Sequence, residues 1–375
     1  MKARGCGGAR LHFPALLLVL VASSAAALTP QQAPPDTTRS LHAGTATQAA
    51  RTDVQSREEP ATRRETPAEP EQVPPGLTRG VRPAATTQAT DAVLHPDAAS
   101  KRGVLFRITA PAQGNARPIV GYLFGTIHFG TAEEQGIDYG ILGKLLDEVA
   151  VFANEADVDT PWDTRLDGYR WLPARASLSR LLGAVAMAKA HELLPDVRER
   201  DLQRMRPWMV LALLEARGEP AGADNADVRL QRIASGMGKQ LVHLESLEDQ
   251  LRALDCVPAE QQAQVLAERL HNPVFLQLDS AEAMAAYRAR DLEAWMADVD
   301  RMEGLSDSAK RIERRSRLCL LEDRNARWIG VIEDLFRRQR ALVAVGALHL
   351  AGPDGLVARL RRDGFRVEAI PPSEP

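Results

Sequence analysis

Two glycine-x-x-histidine runs stand out as places where this chain could do chemistry. Gly125-Thr126-Ile127-His128 lies within GYLFGTIHFG at Gly121–Gly130, and Gly346-Ala347-Leu348-His349 closes ALVAVGALH at Ala341–His349. Each reads as a buried strand that stops at a glycine and delivers a histidine just beyond it. Gly125 and Gly346 carry the structural half of the pattern, a tight turn or a close backbone approach. The histidines carry the chemical half, since neutral imidazole is the commonest protein metal ligand and the usual general base near neutral pH. Two further apolar runs end in carboxylates, VAVFA at Asn154-Glu155 and QLVHL at Glu245. Two imidazoles with one or two carboxylates suit a divalent transition metal: Zn, Mn, Fe or Co. An open position on such a cation would hold a water of lowered pKa, fit to attack a carbonyl. A carboxylate off the metal would then serve as general base. Without a metal, the same groups would form an acid/base pair for hydrolysis.

For the four ends to meet, the strands must be parallel neighbours. Ligands of open α/β sheets bind along the edge formed by the carboxyl ends of the strands. The expected fold is therefore α/β (α+β), with a central mixed, largely parallel sheet flanked by helices and a helical insertion in the middle. Val104–Thr109 and Ile119–Phe124 read as a hairpin, followed by a helix over Ile137–Glu148. Asp163–Met237 is helical in texture, and its Met and Trp residues read as core. Ser246 opens another helix, and further helices are expected over Ala259–Leu270, Ser280–Val299 and Ser306–Arg338. The last carries an apolar stripe of Leu318, Leu321, Trp328, Ile329, Ile332 and Phe336. Asn325 falls on that stripe with Arg324 beside it. A buried amide needs a partner, either an internal helix-to-loop hydrogen bond or a site ligand to orient. Leu356–Arg362 and Phe365–Ile370 give the tail a βαβ texture. Asp157 and Asp159 read as solvated loop acids, His191 as a solvated helix residue and His243 as structural.

The chain has 375 residues. Residues 1–28 begin with Lys2, Arg4 and Arg10, continue with PALLLVLVA and end in small residues, the pattern of a secretory signal. Residues 29–101 are rich in proline, from Pro30 to Pro96, and hold no Phe, Tyr, Trp or Ile. Such a stretch cannot bury enough apolar surface to offset its ordering entropy and reads as a disordered tether. All five tryptophans lie in residues 102–375, which are expected to form the folded domain. A net charge of −3 favours no nucleic-acid partner. No second apolar run reaches membrane-spanning length, so the mature chain is expected to be exported, periplasmic and without a transmembrane span. Beyond the signal segment only Cys256 and Cys319 remain. They could pair, though spacing alone does not decide it, and two cysteines do not make a thiolate zinc site.

Taken together, Gly125-Thr126-Ile127-His128, Asn154-Glu155 at a strand end, LVHLESLEDQ, Asp323-Arg324-Asn325 and VAVGALHLAGPDGL with a closing Gly364-Phe365-x-Val367 resemble the TraB/PrgY/GumN family. The Tiki proteases belong to the same group. The resemblance covers about Val104–Ile370. It implies that His128, Glu155, Glu245, Arg324, Asn325 and His349 line a site; in the reading of the strand ends His128, His349 and Glu155 are the metal ligands, Glu155 is alternatively the general base, and Glu155, Glu245, Arg324 and Asn325 are the catalytic candidates. It also implies a metal-dependent hydrolase of peptidase type acting on a peptide or small molecule. More distant relatives of the fold include erythromycin esterase-like hydrolases and haem-binding lipoproteins. A non-enzymatic binding protein for a peptide signal or for iron or haem is therefore the competing reading. The chain is expected to depart from Tiki proteins in lacking a C-terminal membrane helix.

Overall fold

A computed structural model of the chain describes residues 102–112, 117–215 and 226–370. The expected signal segment and tether lie outside these residues. The strands are β1 (Leu105–Thr109), β2 (Val120–Thr126), β3 (Val151–Asn154), β4 (Gln240–His243), β5 (Ala341–Gly346) and β6 (Arg366–Ala369). The helices before β4 are α1 (Ala132–Gln135), α2 (Tyr139–Glu148), α3 (Leu178–Leu182), α4 (Ala184–Leu193), α5 (Glu199–Leu202), α6 (Pro207–Glu215) and α7 (Ala226–Gly236). After β4 come α8 (Leu247–Leu254), α9 (Ala259–His271), α10 (Pro273–Arg288), α11 (Leu292–Arg301), α12 (Asp307–Arg317), α13 (Asp323–Arg338) and α14 (Leu356–Arg362).

The strand order is β4-β3-β5-β2-β1-β6. Pairings β2 with β5, β5 with β3, and β3 with β4 are parallel. Strand β1 runs antiparallel to both β2 and β6, so the expected hairpin forms and the sheet is mixed but largely parallel. Strands β3 and β5 are buried along their whole length. That is why they read as unbroken apolar runs rather than alternating ones, since the layers on both faces exclude water. The tail is βαβ in texture but not in adjacency: α14 carries the chain from β5 past β2 and β1 to the far edge.

Two large apolar cores result, beside a smaller cluster of Val257, Val265, Met302, Leu305, Ala309 and Ile312. One joins the sheet to α13 and to Tyr287 and Trp295. The other lies within the helical insertion and α8–α9, where Met187, Met205, Trp208 and Met209 are buried as core residues. Cys256 and Cys319 form a disulfide, closing a sequence separation of 63 between the start of the α8–α9 connection and the approach to α13.

Two long helices expected from periodicity are interrupted. The Ser280–Val299 pattern breaks between α10 and α11 at Arg290, whose φ is 59°. Its guanidinium reaches back to the carbonyls of Gln135 and Gly136 beyond α1 and stabilises the bend. The Ser306–Arg338 pattern is divided by a π turn over Leu318–Glu322. That turn is wider than an α turn, so the register shifts. Leu318, expected on the buried stripe, is exposed, while Leu321, Trp328, Ile332 and Phe336 stay inside.

Candidate active site

The four parallel strands share a direction, so Thr126, Gly346, Asn154 and His243 all mark one edge of the sheet. His128 and Glu155 follow β2 and β3 at that edge. Glu245 follows β4, with its N–H donating to the Glu155 carbonyl. His349 lies in a 3-10 turn over Ala347–Leu350, directly after β5. Helix α13 adds Arg324 and Asn325, both buried. The structure thus brings together all six residues singled out in the sequence.

The two histidines are held in the same way from different sides. His349 Nδ1 lies 2.8 Å from Asn325 Oδ1. The Asn325 amide is oriented by its own Nδ2, which donates to the carbonyls of His349 and Asp354 at 3.1 Å each. Its oxygen must therefore accept, so Nδ1 of His349 carries the proton and Nε2 carries a lone pair. Asn325 is thus a helix-to-loop tie whose amide oxygen also fixes the orientation of the His349 ring. On the other side, His128 Nδ1 lies 2.7 Å from Asp227 Oδ2 on α7, with both side chains buried. Thr126 Oγ1 donates to the other Asp227 oxygen at 3.0 Å.

Gly346 lies between these groups. A Cβ at that position would sit 3.3 Å from Glu155 Oε1, 3.5 Å from His349 Cδ2 and 3.8 Å from His128 Nε2. Its own N–H donates to Glu155 Oε1 at 2.7 Å. Glycine is needed here for close approach, not for an unusual backbone angle. Gly125 serves a different purpose: a Cβ there would come within 2.9 Å of the Ala347 backbone, and its carbonyl accepts from Tyr287 Oη.

Arg324 ties the acids together. Its Nη2 donates to Glu155 Oε2 and to Glu245 Oε1, each at 2.6 Å, and Nε adds bonds to both Glu245 oxygens. Its Nη1 reaches His349 Nε2 at 3.2 Å and the Leu320 carbonyl in the π turn. The guanidinium lies 4.5 Å over the Trp328 ring, which also packs against His349. Burial alone would raise the Glu155 carboxyl, but Arg324, His349, the Gly346 N–H and His128 outweigh it and hold Glu155 at about 2. Glu245 shifts the other way, because burial and the neighbouring Glu155 outweigh Arg324. Two carboxylates sharing one guanidinium are expected to divide in this manner. Burial takes His349 down to about 3, reinforced by Arg324 and His128 and opposed by Glu155, so the imidazole is neutral at physiological pH.

Two imidazoles and a deprotonated carboxylate, donor types that suit a divalent cation, converge beside Gly346. His349 Nε2 is engaged by Arg324, however, and among the described residues no group of three or more His, Cys, Asp or Glu is drawn together tightly enough to hold a metal ion. Glu245, expected to be available for chemistry, is taken up by Arg324.

Sequence reasoning missed Asp227, Gln231 and Gln250. Asp227 and Gln231 sit one turn apart on α7, at the same helical spacing as buried Leu230 and Ala234. Polar residues at core positions were the available signal. Gln231 Oε1 accepts from Asn154 Nδ2 and the Val158 N–H, while its Nε2 donates to Asp157 Oδ1 at 2.6 Å. Asp157 is thus tied into the loop beyond β3 rather than simply solvated. Gln250 donates to Glu155 Oε2 at 3.3 Å. His243 is exposed and bonds Asn154 Oδ1, in keeping with a structural role, and His191 is exposed.

Comparison with known proteins adds to this geometry. A sequence model of the TraB/PrgY/gumN family matches residues 106–369. The curated Metalloprotease TIKI2 of Danio rerio is 28% identical to the chain over 203 residues, covering 46% of this chain and 38% of the relative. The chain thus spans well under half the length of that relative. No solved structure matches the chain.

Proposed function

Because the chain belongs to the TraB/PrgY/gumN family, we propose that its strand-edge site is the centre of a divalent-metal-dependent hydrolase that cleaves peptide bonds. The observation that carries this reading is the pair of anchored histidines beside Gly346, with Glu155 between them. The relative named a metalloprotease supports the same class. His128, His349 and Glu155 would hold the cation, which when bound supplies Lewis acidity and a source of hydroxide at neutral pH. His349 has one lone pair at Nε2, so it would exchange its Arg324 contact for the cation.

The remaining roles follow from the chain's own charges. Glu155, held near 2, is a weak proton acceptor and a good anionic ligand, so it serves the cation rather than a base step. Arg324, fixed by Glu245 and by the Trp328 face, is a preorganised positive charge beside the reacting carbonyl, where negative charge would develop. Asn325 keeps His349 in its tautomer. Export to the periplasm is part of the same proposal and rests on residues 1–28. Among the described residues, no helix is long and apolar enough to cross a membrane.

The test is metal analysis of full-length protein purified without chelator, followed by a peptide-library cleavage screen with Mn, Co or Zn added. Stoichiometric metal and turnover are expected, and His128→Ala and His349→Ala should each lose both while remaining folded. Wild-type protein without metal or metal-stimulated turnover would defeat the proposal. Metal without turnover would point instead to a binding protein.

A further inference from the structure

The two site histidines have unlike anchors. His349 leans on a neutral amide and shares its other nitrogen with a guanidinium. His128 leans on a buried carboxylate, Asp227, whose second oxygen is occupied by the Thr126 hydroxyl. A lone pair on Nδ1 facing a carboxylate oxygen at 2.7 Å would be repulsive, so Nδ1 must carry the proton at that separation. Nε2, the atom nearer Gly346, is then left with its lone pair. Imidazole ligands are commonly oriented in this way by a second group that accepts from the other nitrogen.

We infer that Asp227 is a positioning residue of this site: its carboxylate holds His128 in the Nδ1–H tautomer and aims Nε2 at the point shared with Glu155. The helix that carries it does the same for the neighbouring strand end. Gln231, one turn along α7, fixes Asn154 and the loop beyond it. Helix α7 is therefore the outer support for the ends of β2 and β3, much as α13 is for the end of β5. The consequence for cation affinity rests on the metal reading above, whereas the tautomer assignment does not.

The experiment uses full-length protein with 15N-labelled histidine. In chelator-treated wild type, long-range 1H–15N spectra should show His128 as the Nδ1–H tautomer, and Asp227→Leu should shift it toward Nε2–H. A purely structural role would leave the tautomer unmoved. Mn2+ titration of the same proteins should show affinity falling ~10- to 100-fold on loss of the anchor. Asp227→Asn, which keeps the shape and removes the charge, should lie at the weaker end of that range, and Asp227→Glu should recover part of the affinity. If Asp227→Leu fails to fold, Asp227→Ala, which likewise offers no acceptor, decides the matter. An unchanged tautomer, or wild-type Mn2+ affinity, in the variant that lacks an acceptor overturns the assignment. If wild type binds no Mn2+, the metal reading fails while the spectra still judge Asp227.

Discussion

His349 links the chemistry of the site to the stability of the fold. Its pKa falls from 6.5 in the unfolded chain to about 3 in the folded one, so in that interval the unfolded state binds the extra proton. Stability must therefore rise with pH across the window and be lost as pH falls from 6.5 toward 3. A shift of that size corresponds to at most about 3–5 kcal/mol. Glu155, depressed to about 2, contributes stability that is lost only below its ordinary value of 4.5. Asp255, raised to about 6 by burial against the opposing Arg206, acts in the reverse direction. The difference between wild type and His349→Gln isolates the histidine. In chelator, urea midpoints should fall more steeply from pH 6.5 to 4.5 in wild type than in the variant; parallel curves would refute the assignment. At this scale the sequence was partly legible. The GxxH histidines and the strand-end acids were visible because each follows an apolar run. Asp227 was not, because its spacing with Leu230 and Ala234 places it on the buried face of α7 but does not reveal the histidine about a hundred residues away that it faces.

Elements turn those residues into a site through close approach. Gly346→Ala should leave the fold largely intact while crowding Glu155 and His128, because the new methyl meets side-chain atoms at 3.3 Å or beyond. Gly125→Ala meets the Ala347 backbone at 2.9 Å and should instead cost about 1–3 kcal/mol in overpacking. Thermal denaturation together with Mn2+ titration separates the two outcomes: affinity lost without stability for Gly346, stability lost for Gly125. The same outcome for both variants would show that their glycines do not have distinct duties. Apolar periodicity made the strands and most helices legible, since burial on two faces writes unbroken runs and burial on one writes a stripe. The π turn before Arg324 and the bend at Arg290 escaped: the bend is held by hydrogen bonds to distant carbonyls, and neither feature interrupts the local pattern of apolar residues.

For the molecule as a whole, the parallel direction of four strands was expected from strand ends that needed to meet, whereas their order β4-β3-β5-β2 and the pairing of the two cysteines could be settled only by the fold. Replacing Cys256 and Cys319 with serine should lower stability by about 2–4 kcal/mol, as expected for opening a loop of this length. Chemical denaturation with and without a reductant measures the loss, and reductant should have no further effect on the double variant. The bridge also has a topological consequence. His128, Glu155, Asp227, Glu245, Arg324, Asn325 and His349 all lie outside the span from Cys256 to Cys319. That span shapes the surroundings, through ties such as Tyr287 to the Gly125 carbonyl, and supplies none of these proposed site residues. A protease nick anywhere within it would leave two fragments still covalently joined at its base, with the strand edge uncut. The fragments would also stay packed together, because Tyr287, Leu292 and Trp295 of the span are buried in the core of the sheet.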